Sequence, residues 1–584
     1  MPAHRPTTPY DWDGRLVPYP ADRACHYRQT GQWSDTPTGA RLHETAVRHG
    51  DRVALITAEA TLTYRQLDER TDQVAAALAR LGLRRLDPIL FQVTNKAHAV
   101  VAWYGCLKAG LVPVATLAAH RAHEIGHIST KVGAVAHIVE AGLKFDLVAF
   151  AHDVARGHPT LRHVLTIEAP VATDGTTRVE DLGSDIDPTT ARALVESIEA
   201  RTDPCDVAVF QLSGGTTGVP KVIPRIHAEY WNNALFYAQA LGWTPETKVA
   251  HLIPLIHNAG ISCALHAAHA VGATLVVATP DAPSAFELMA RHEVTDALFG
   301  HGHYQAVQRP EFDKVRRTLR RALLSGAKVS HDLFRRVDDS EQRWAGQLFG
   351  MSEGLFTVTP LDAPEVARRE TVGVPIAPSD EVRILDPSSE QEVDAGAIGE
   401  LCCRGPYTIP GYFDAAEHNA IAFTPDGFYR TGDLASIRDI DGRGYVCIQG
   451  RIKDLINRGG EKINAEEIEV LLLRDPRIAA AAVVAMPDLR LGERACAYLV
   501  SVDGVELTMA QVQSHLDGLG VAKYKWPERL QWTEALPQTN VGKIDKKSLR
   551  ADIAAQLEAE AAKSVAQVDD SFDHGALVHE RHHA

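Results

Sequence analysis

Cysteine pairs, long apolar runs and an excess of positive charge are all missing from this 584-residue chain. Its eight cysteines (Cys25, Cys106, Cys205, Cys263, Cys402, Cys403, Cys447 and Cys496) form no C-x-x-C pair. That spacing excludes a zinc or disulfide framework and fits a reducing cytoplasm. Cys402 and Cys403, being adjacent, are expected on opposite faces of a strand. No run reaches the roughly 18 apolar residues that a membrane helix needs; the most apolar stretch, residues 99–119, is broken by Lys108 and Gly110. The first residues lack the apolar segment of a secretory signal, so no targeting signal and no membrane partner are expected. A net charge of −15 counts against nucleic acid as a partner. The basic cluster Lys314–Arg321 is expected to be a solvated helix face. His301, His303, His574, His579, His582 and His583 form the densest histidine groups, but none has the spacing of a metal motif.

Short β-branched runs alternate with amphipathic helices over the first half. Thr63 and Gln66 have capping-box spacing ahead of Leu67, Val74, Leu78 and Leu81 at helical intervals. Strands are expected at 88–93, 111–115, 207–212, 248–253, 273–278 and 295–299, with a helix over 97–108. Repeated strand–helix–strand units imply parallel sheets covered by helices. After Gly450 the composition changes to a small α+β unit, with helices capped at Asn464 and Thr508 and strands at 479–485 and 494–501. The last residues are Ala/Glu-rich, then polar, and are expected to fray into disorder.

The stretch Ser213-Gly214-Gly215-Thr216-Thr217-Gly218-Val219-Pro220-Lys221 suits a polyphosphate. Its glycines let backbone N–H groups approach anionic oxygens, three hydroxyls add donors, and the lysine adds a mobile charge. It is not the pattern of P-loop NTPases, in which Lys and Ser/Thr end the loop. The order resembles the phosphate loop of the adenylate-forming superfamily of acyl-CoA synthetases, luciferases and nonribosomal peptide adenylation domains.

Further motifs follow in that superfamily's order, and the roles below are what the resemblance implies. Phe349-Gly350-Met351-Ser352-Glu353-Gly354 matches a segment with an aromatic that packs on adenine and a carboxylate that holds Mg²⁺. Glu353 is thus the expected metal ligand with Thr217 opposite, since Mg²⁺ prefers oxygen donors. Gly326, Ala327 and Lys328 would line the other side of the purine. Asp433, in Tyr429-Arg430-Thr431-Gly432-Asp433-Leu434, would accept from the ribose hydroxyls, and Arg451 would contact ribose or phosphate. Lys453 is the implied hinge between domains. Lys543 is the implied catalytic lysine, offsetting the repulsion between a carboxylate and the α-phosphate. Gly459 and Gly460 would leave room for a pantetheine tunnel.

Pro254-Leu255-Ile256-His257-Asn258 bears on which acid is activated. Domains that take amino acids place an aspartate at the position of Asn258; an asparagine instead donates and accepts to a phenol and a carboxylate. With His257, this segment resembles the stand-alone aryl-acid AMP ligases of siderophore and antibiotic pathways. Asn258 would read the ortho substituent and His257 would gate the tunnel. Ala259, Cys263, Ser352 and Phe356 are the other expected acid contacts. Ala259, Gly260 and Cys263 depart from the Tyr, Pro and Ser of dihydroxybenzoate enzymes, and cysteine is a poor donor. That departure favours salicylate, or a reshaped acid such as 3-hydroxyanthranilate, over 2,3-dihydroxybenzoate.

The expected protein is therefore an α/β enzyme. A large domain over 1–452 has parallel-rich sheets, helices and a β-barrel-like part; a mobile α+β domain spans 453–555 and a tail 556–584. ATP, Mg²⁺ and an aryl acid would give aryl-AMP, and the aryl group would pass to a separate carrier-protein phosphopantetheine or to CoA. The competing expectations are a benzoate or medium-chain acyl-CoA ligase, and a non-catalytic nucleotide sensor.

Overall fold

Apolar runs too short for helices become strands buried on both faces, and the helices between them allow neighbouring central strands to run parallel. The computed structural model describes residues 10, 12–171, 175–213, 220–326, 329–338, 342–387, 389–459, 461–539 and 543–560. Contacts divide the chain into two compact units, residues 1–431 with 436–447, and residues 432–435 with 448–584.

In the first unit a seven-stranded sheet runs in the order Thr176–Arg178, His163–Ile167, Ala136–Glu140, Pro88–Gln92, Val112–Val114, Val207–Leu212 and Val222–Ile226. All its pairs are parallel except the last. A nine-stranded sheet has a parallel centre that includes Lys248–His251, Asp296–Gly300, Arg321–Ser325 and Trp344–Gly350. The period-2 alternation of strand side chains assigns each sheet two apolar faces. Ile89 and Phe91 of the first sheet and Leu323 of the second meet Val74, Trp103, Tyr104 and Ala234 in one cluster, so helices fill the space between the sheets. Leu90 and Leu324, one residue out of phase, join separate clusters on the outer faces. Glu381–Leu385 pairs antiparallel with Gly399–Arg404 in a smaller part of this unit, where Cys402 and Cys403 are both buried.

The second unit is a sheet with helices on both faces. Ile456, Ile468, Val483, Leu499 and Leu516 pack on one side; Val484, Met486 and Tyr498 meet Leu549 and Ile553 on the other. Helix starts follow local chemistry. Thr63 and Thr508 each form a complete capping box with the glutamine three residues on, and Asn464 accepts from the Glu466 N–H.

Two expectations need correction. Lys314–Arg321 is not one helix face: the helix is only Asp313–Arg316, and Arg321 opens a strand, where its guanidinium pairs with Asp296 across the sheet. The tail does not fray at 556: the helix over 546–560 continues, and Arg529 holds Glu560 at 2.7 Å. Residues 561–584, including the terminal histidines, lie outside the described residues. All eight cysteines are free, and among the described residues no helix is long and apolar enough to cross a membrane.

Candidate active site

In open parallel sheets, side chains that bind ligands collect beyond the carboxyl ends of the strands. Three such ends in the nine-stranded sheet carry predicted residues: 254–258 follows Lys248–His251, Gly326 follows Arg321–Ser325, and 351–354 follows Trp344–Gly350. The strand Val207–Leu212 of the other sheet leads directly into Ser213. The Lys221 N–H donates to Ser213 Oγ at 2.9 Å and the Ser213 N–H to the Lys221 carbonyl at 3.0 Å, so the two ends of the glycine-rich stretch are tied together. Gly214, Gly215, Thr216, Thr217 and Gly218 lie outside the described residues, as do Ala327, Lys328 and Gly460.

The turn carrying Glu353 is held from four directions. Arg225, fully buried and clasped by both oxygens of Glu229 at 2.7 Å, donates to the Ser352 carbonyl at 3.0 Å. The Ile409 N–H donates to the Glu353 carbonyl at 2.8 Å and Asn233 to that of Gly354 at 3.4 Å. Tyr412 Oη donates to Glu353 Oε1 at 2.6 Å and lies 2.8 Å from Tyr429 Oη. Burial, then Glu353, pushes the Tyr412 pKa up, so the phenol keeps its proton. The Lys221 ammonium sits 5.6 Å above the Tyr412 ring. Gly354 has φ +131°, and a Cβ there would meet the Tyr407 carbonyl oxygen at 1.5 Å; only glycine fits. Glu353 Oε2 makes no hydrogen bond among the described residues, and a free carboxylate oxygen is a donor that Mg²⁺ accepts.

At the acid end, His257 caps a short helical turn, its Nδ1 accepting from the Ala259 N–H at 3.3 Å. Asn258 is 2% exposed. Its Oδ1 accepts from Tyr230 Oη and from Ser262 Oγ, each at 3.1 Å, and its Nδ2 donates to the Met351 carbonyl at 3.4 Å. Asn258 is thereby brought to the Glu353 turn. Phe349 and Gly350 end the strand Trp344–Gly350, and a Cβ on Gly350 would come within 2.4 Å of the Phe356 ring. Ala259 packs at the edge of the central core. Cys263 is not brought to this cluster: it lines a small cavity with Tyr237, Trp243, Val249, Asp296 and Arg321, and none of the other acid candidates lines it.

Four more predicted residues meet in the second unit. Arg451 Nε donates to Asp433 Oδ1 at 2.9 Å. The carboxylate intended for a ribose thus already has a cationic partner. Burial raises the Asp433 pKa, and Arg451, Lys543 and Lys453 oppose the rise. The Lys543 side chain is exposed, with the Arg451 and Asp433 charges near enough to act on its ammonium. Desolvation, then Arg451, lowers its pKa, and Asp433 opposes the fall. Desolvation followed by Arg451 also lowers the Lys453 pKa. The Lys543 backbone is fixed by Thr539, whose N–H donates to the Lys543 carbonyl at 2.7 Å. The Gly459 N–H donates to the Leu491 carbonyl at 2.7 Å.

Sequence reasoning missed Arg225, Tyr230, Ser262 and Tyr412. Arg225 did leave a signal, a charge inside the apolar run Val222-Ile223-Pro224-Arg225-Ile226. Tyr230 and Tyr412 look like ordinary core aromatics until the fold supplies their partners.

A glycine-rich loop closed by Ser213 and Lys221, a carboxylate with one free oxygen and a buried amide at strand carboxyl ends define a nucleotide-dependent, acid-activating class of enzyme. The chain belongs to the AMP-binding enzyme family, whose profile matches residues 42–413; that of the AMP-binding enzyme C-terminal domain matches residues 467–543. Over 92% of its length it is 39% identical to a salicylyl-CoA synthase / salicylate adenylyltransferase of Streptomyces sp, covering 97% of that protein. It is 38% identical, over 92% of its length, to a salicyl-AMP ligase / salicyl-S-ArCP synthetase of Mycobacterium tuberculosis, covering 94% of it. The apo structure of MbtA from Mycobacterium smegmatis superposes with a TM-score of 0.70 at 36% identity, covering 93% of this chain and 99% of that one.

Proposed function

We propose that this enzyme activates an ortho-substituted aryl acid with ATP, forming aryl-AMP and pyrophosphate, and then passes the aryl group to a phosphopantetheine thiol of a separate carrier protein. The observation that carries the reading is Asn258, a neutral buried amide where an amino-acid substrate would need a carboxylate, tied to the Glu353 turn through Met351. The names of the salicylate-activating relatives support it.

In the first step a carboxylate oxygen attacks the α-phosphorus, and the bond to the bridging oxygen breaks with its electron pair leaving on pyrophosphate. No proton need move. The obstacle is electrostatic, because an anion approaches an anion. Ser213, Lys221 and the loop 214–218 would hold the phosphates. Phe349, Gly350, Met351 and the segment 326–328 would flank adenine, Asp433 would bind the ribose, and Arg451 would bind ribose or phosphate. Lys543 would place its ammonium on the reacting oxygens, where a fixed charge is worth far more than in water. Glu353, with Thr217, would hold Mg²⁺; when bound, the ion neutralises charge on the phosphate oxygens. In the second step the thiol gives up its proton to solvent, its sulfur attacks the acyl carbon, and the bond from that carbon to the phosphate oxygen breaks with its electron pair leaving on AMP. Lys453 would be the hinge that precedes it, His257 the gate, and Gly459 and Gly460 the thiol path. The eight free thiols fit a reducing cytoplasmic setting.

The test is pyrophosphate–ATP exchange with a panel of acids. Exchange should depend on salicylate or 2,3-dihydroxybenzoate; exchange with hexanoate or an amino acid and with no benzoate would refute the assignment. Loading of CoA but of no carrier protein would favour an acyl-CoA ligase.

A further inference from the structure

The Asn258 amide has spent its whole capacity to accept hydrogen bonds and half of its capacity to donate. An amide oxygen has two lone pairs, and those of Asn258 Oδ1 are taken by Tyr230 Oη and Ser262 Oγ. One Nδ2 hydrogen points to the Met351 carbonyl; the other has no acceptor among the described residues, although the side chain is buried. Two independent contacts determine the orientation. A backbone carbonyl only accepts, so the nitrogen must face Met351. Tyr230 Oη is itself an acceptor for Gln211 Nε2 at 2.9 Å, so its one hydrogen is directed to Asn258. Burial raises the Tyr230 pKa and keeps that hydrogen in place. A buried donor left without an acceptor is costly, so this N–H awaits an acceptor from the substrate.

We infer that Gln211, Tyr230 and Ser262 are positioning residues that lock Asn258 as a donor only, and so select acids with an ortho hydroxyl against those with an ortho amine. The inference rests on the aryl-acid reading above and narrows it. In a 2-hydroxybenzoate the phenol hydrogen bonds to the neighbouring carboxylate, and its oxygen keeps a lone pair to receive the Asn258 N–H. In a 2-aminobenzoate the nitrogen lone pair is delocalised into the ring, and a second N–H is turned toward the Asn258 donor. Sites whose buried polar group is left unpaired reject the wrong substrate strongly.

The experiment measures adenylate formation by the full-length enzyme with salicylate, anthranilate and benzoate, by mass spectrometry and pyrophosphate release. The wild type should favour salicylate over anthranilate by about ten- to a hundredfold in kcat/KM. Y230F should raise the KM for salicylate about tenfold, leave the KM for ATP unchanged, and narrow the salicylate-to-anthranilate ratio; S262A should do so to a lesser degree. A merely structural loss would lower kcat for every acid alike. Equal use of anthranilate by the wild type overturns the inference, as does an unchanged ratio in a folded Y230F, or in S262A if Y230F does not fold. If no benzoate is adenylated at all, the aryl-acid reading itself falls and takes this one with it.

Discussion

Lys543 and Asp433 lie 110 positions apart in the chain, yet each shifts the other's titration. Desolvation and Arg451 lower the Lys543 pKa, so its ammonium deprotonates below the ~10.4 of a free lysine. The protonated form is the one that offsets negative charge. Adenylation should therefore hold near neutrality and fall on an alkaline limb as pH rises through the lowered pKa. Exchange rates between pH 7 and 10 measure that limb. K543A should abolish it and slow adenylation by about 10²–10³; a rate equal to wild type would remove this lysine from the chemistry. Lys543, Asp433 and Arg451 stood out in the sequence as candidates because each sits in a short stretch with its own order of residues, and the structure places them together. Tyr412 and Tyr230 were not. Their partners Glu353 and Asn258 are 59 and 28 residues distant, and no local pattern announces such a pairing.

At the scale of elements, the turn 350–354 concentrates strain and support. Its backbone is held by Arg225, Asn233 and Ile409, and Gly354 adopts a conformation and a closeness to Tyr407 that no side chain tolerates. G354A should destabilise the first unit by about 3 kcal/mol or more and displace the Glu353 carboxylate, lowering adenylation with it. Thermal melting and exchange assays check both; a variant that melts with wild type would show that the turn relaxes at no cost. The helix starts at Thr63, Asn464 and Thr508 were readable because a cap and its partner lie within one turn. The end of the helix at Arg316 was not. Arg321 is drawn into a sheet by Asp296, and long-range pairing overrides the helical appearance of the basic run.

Over the whole molecule, the apolar residues sort into cores that belong to one unit or the other. Leu499 is fully buried in the second unit among Ile456, Val483 and Leu516. L499A should cost about 2–5 kcal/mol there. Calorimetry should show the loss in one transition only, with the transition of the first unit unmoved, and a uniform shift of the whole profile would contradict separate cores. The sequence by itself determined the fold class and the family to which the chain belongs, because apolar periodicity and short motifs are written in consecutive residues. Only the tertiary structure decided which lone pairs of Asn258 and Glu353 are already occupied, and that Cys263 lines a small cavity with Tyr237 and Trp243. Hydrogen-bond capacity is used up by whatever group is nearest in space, and nearness in space is a property of the folded chain.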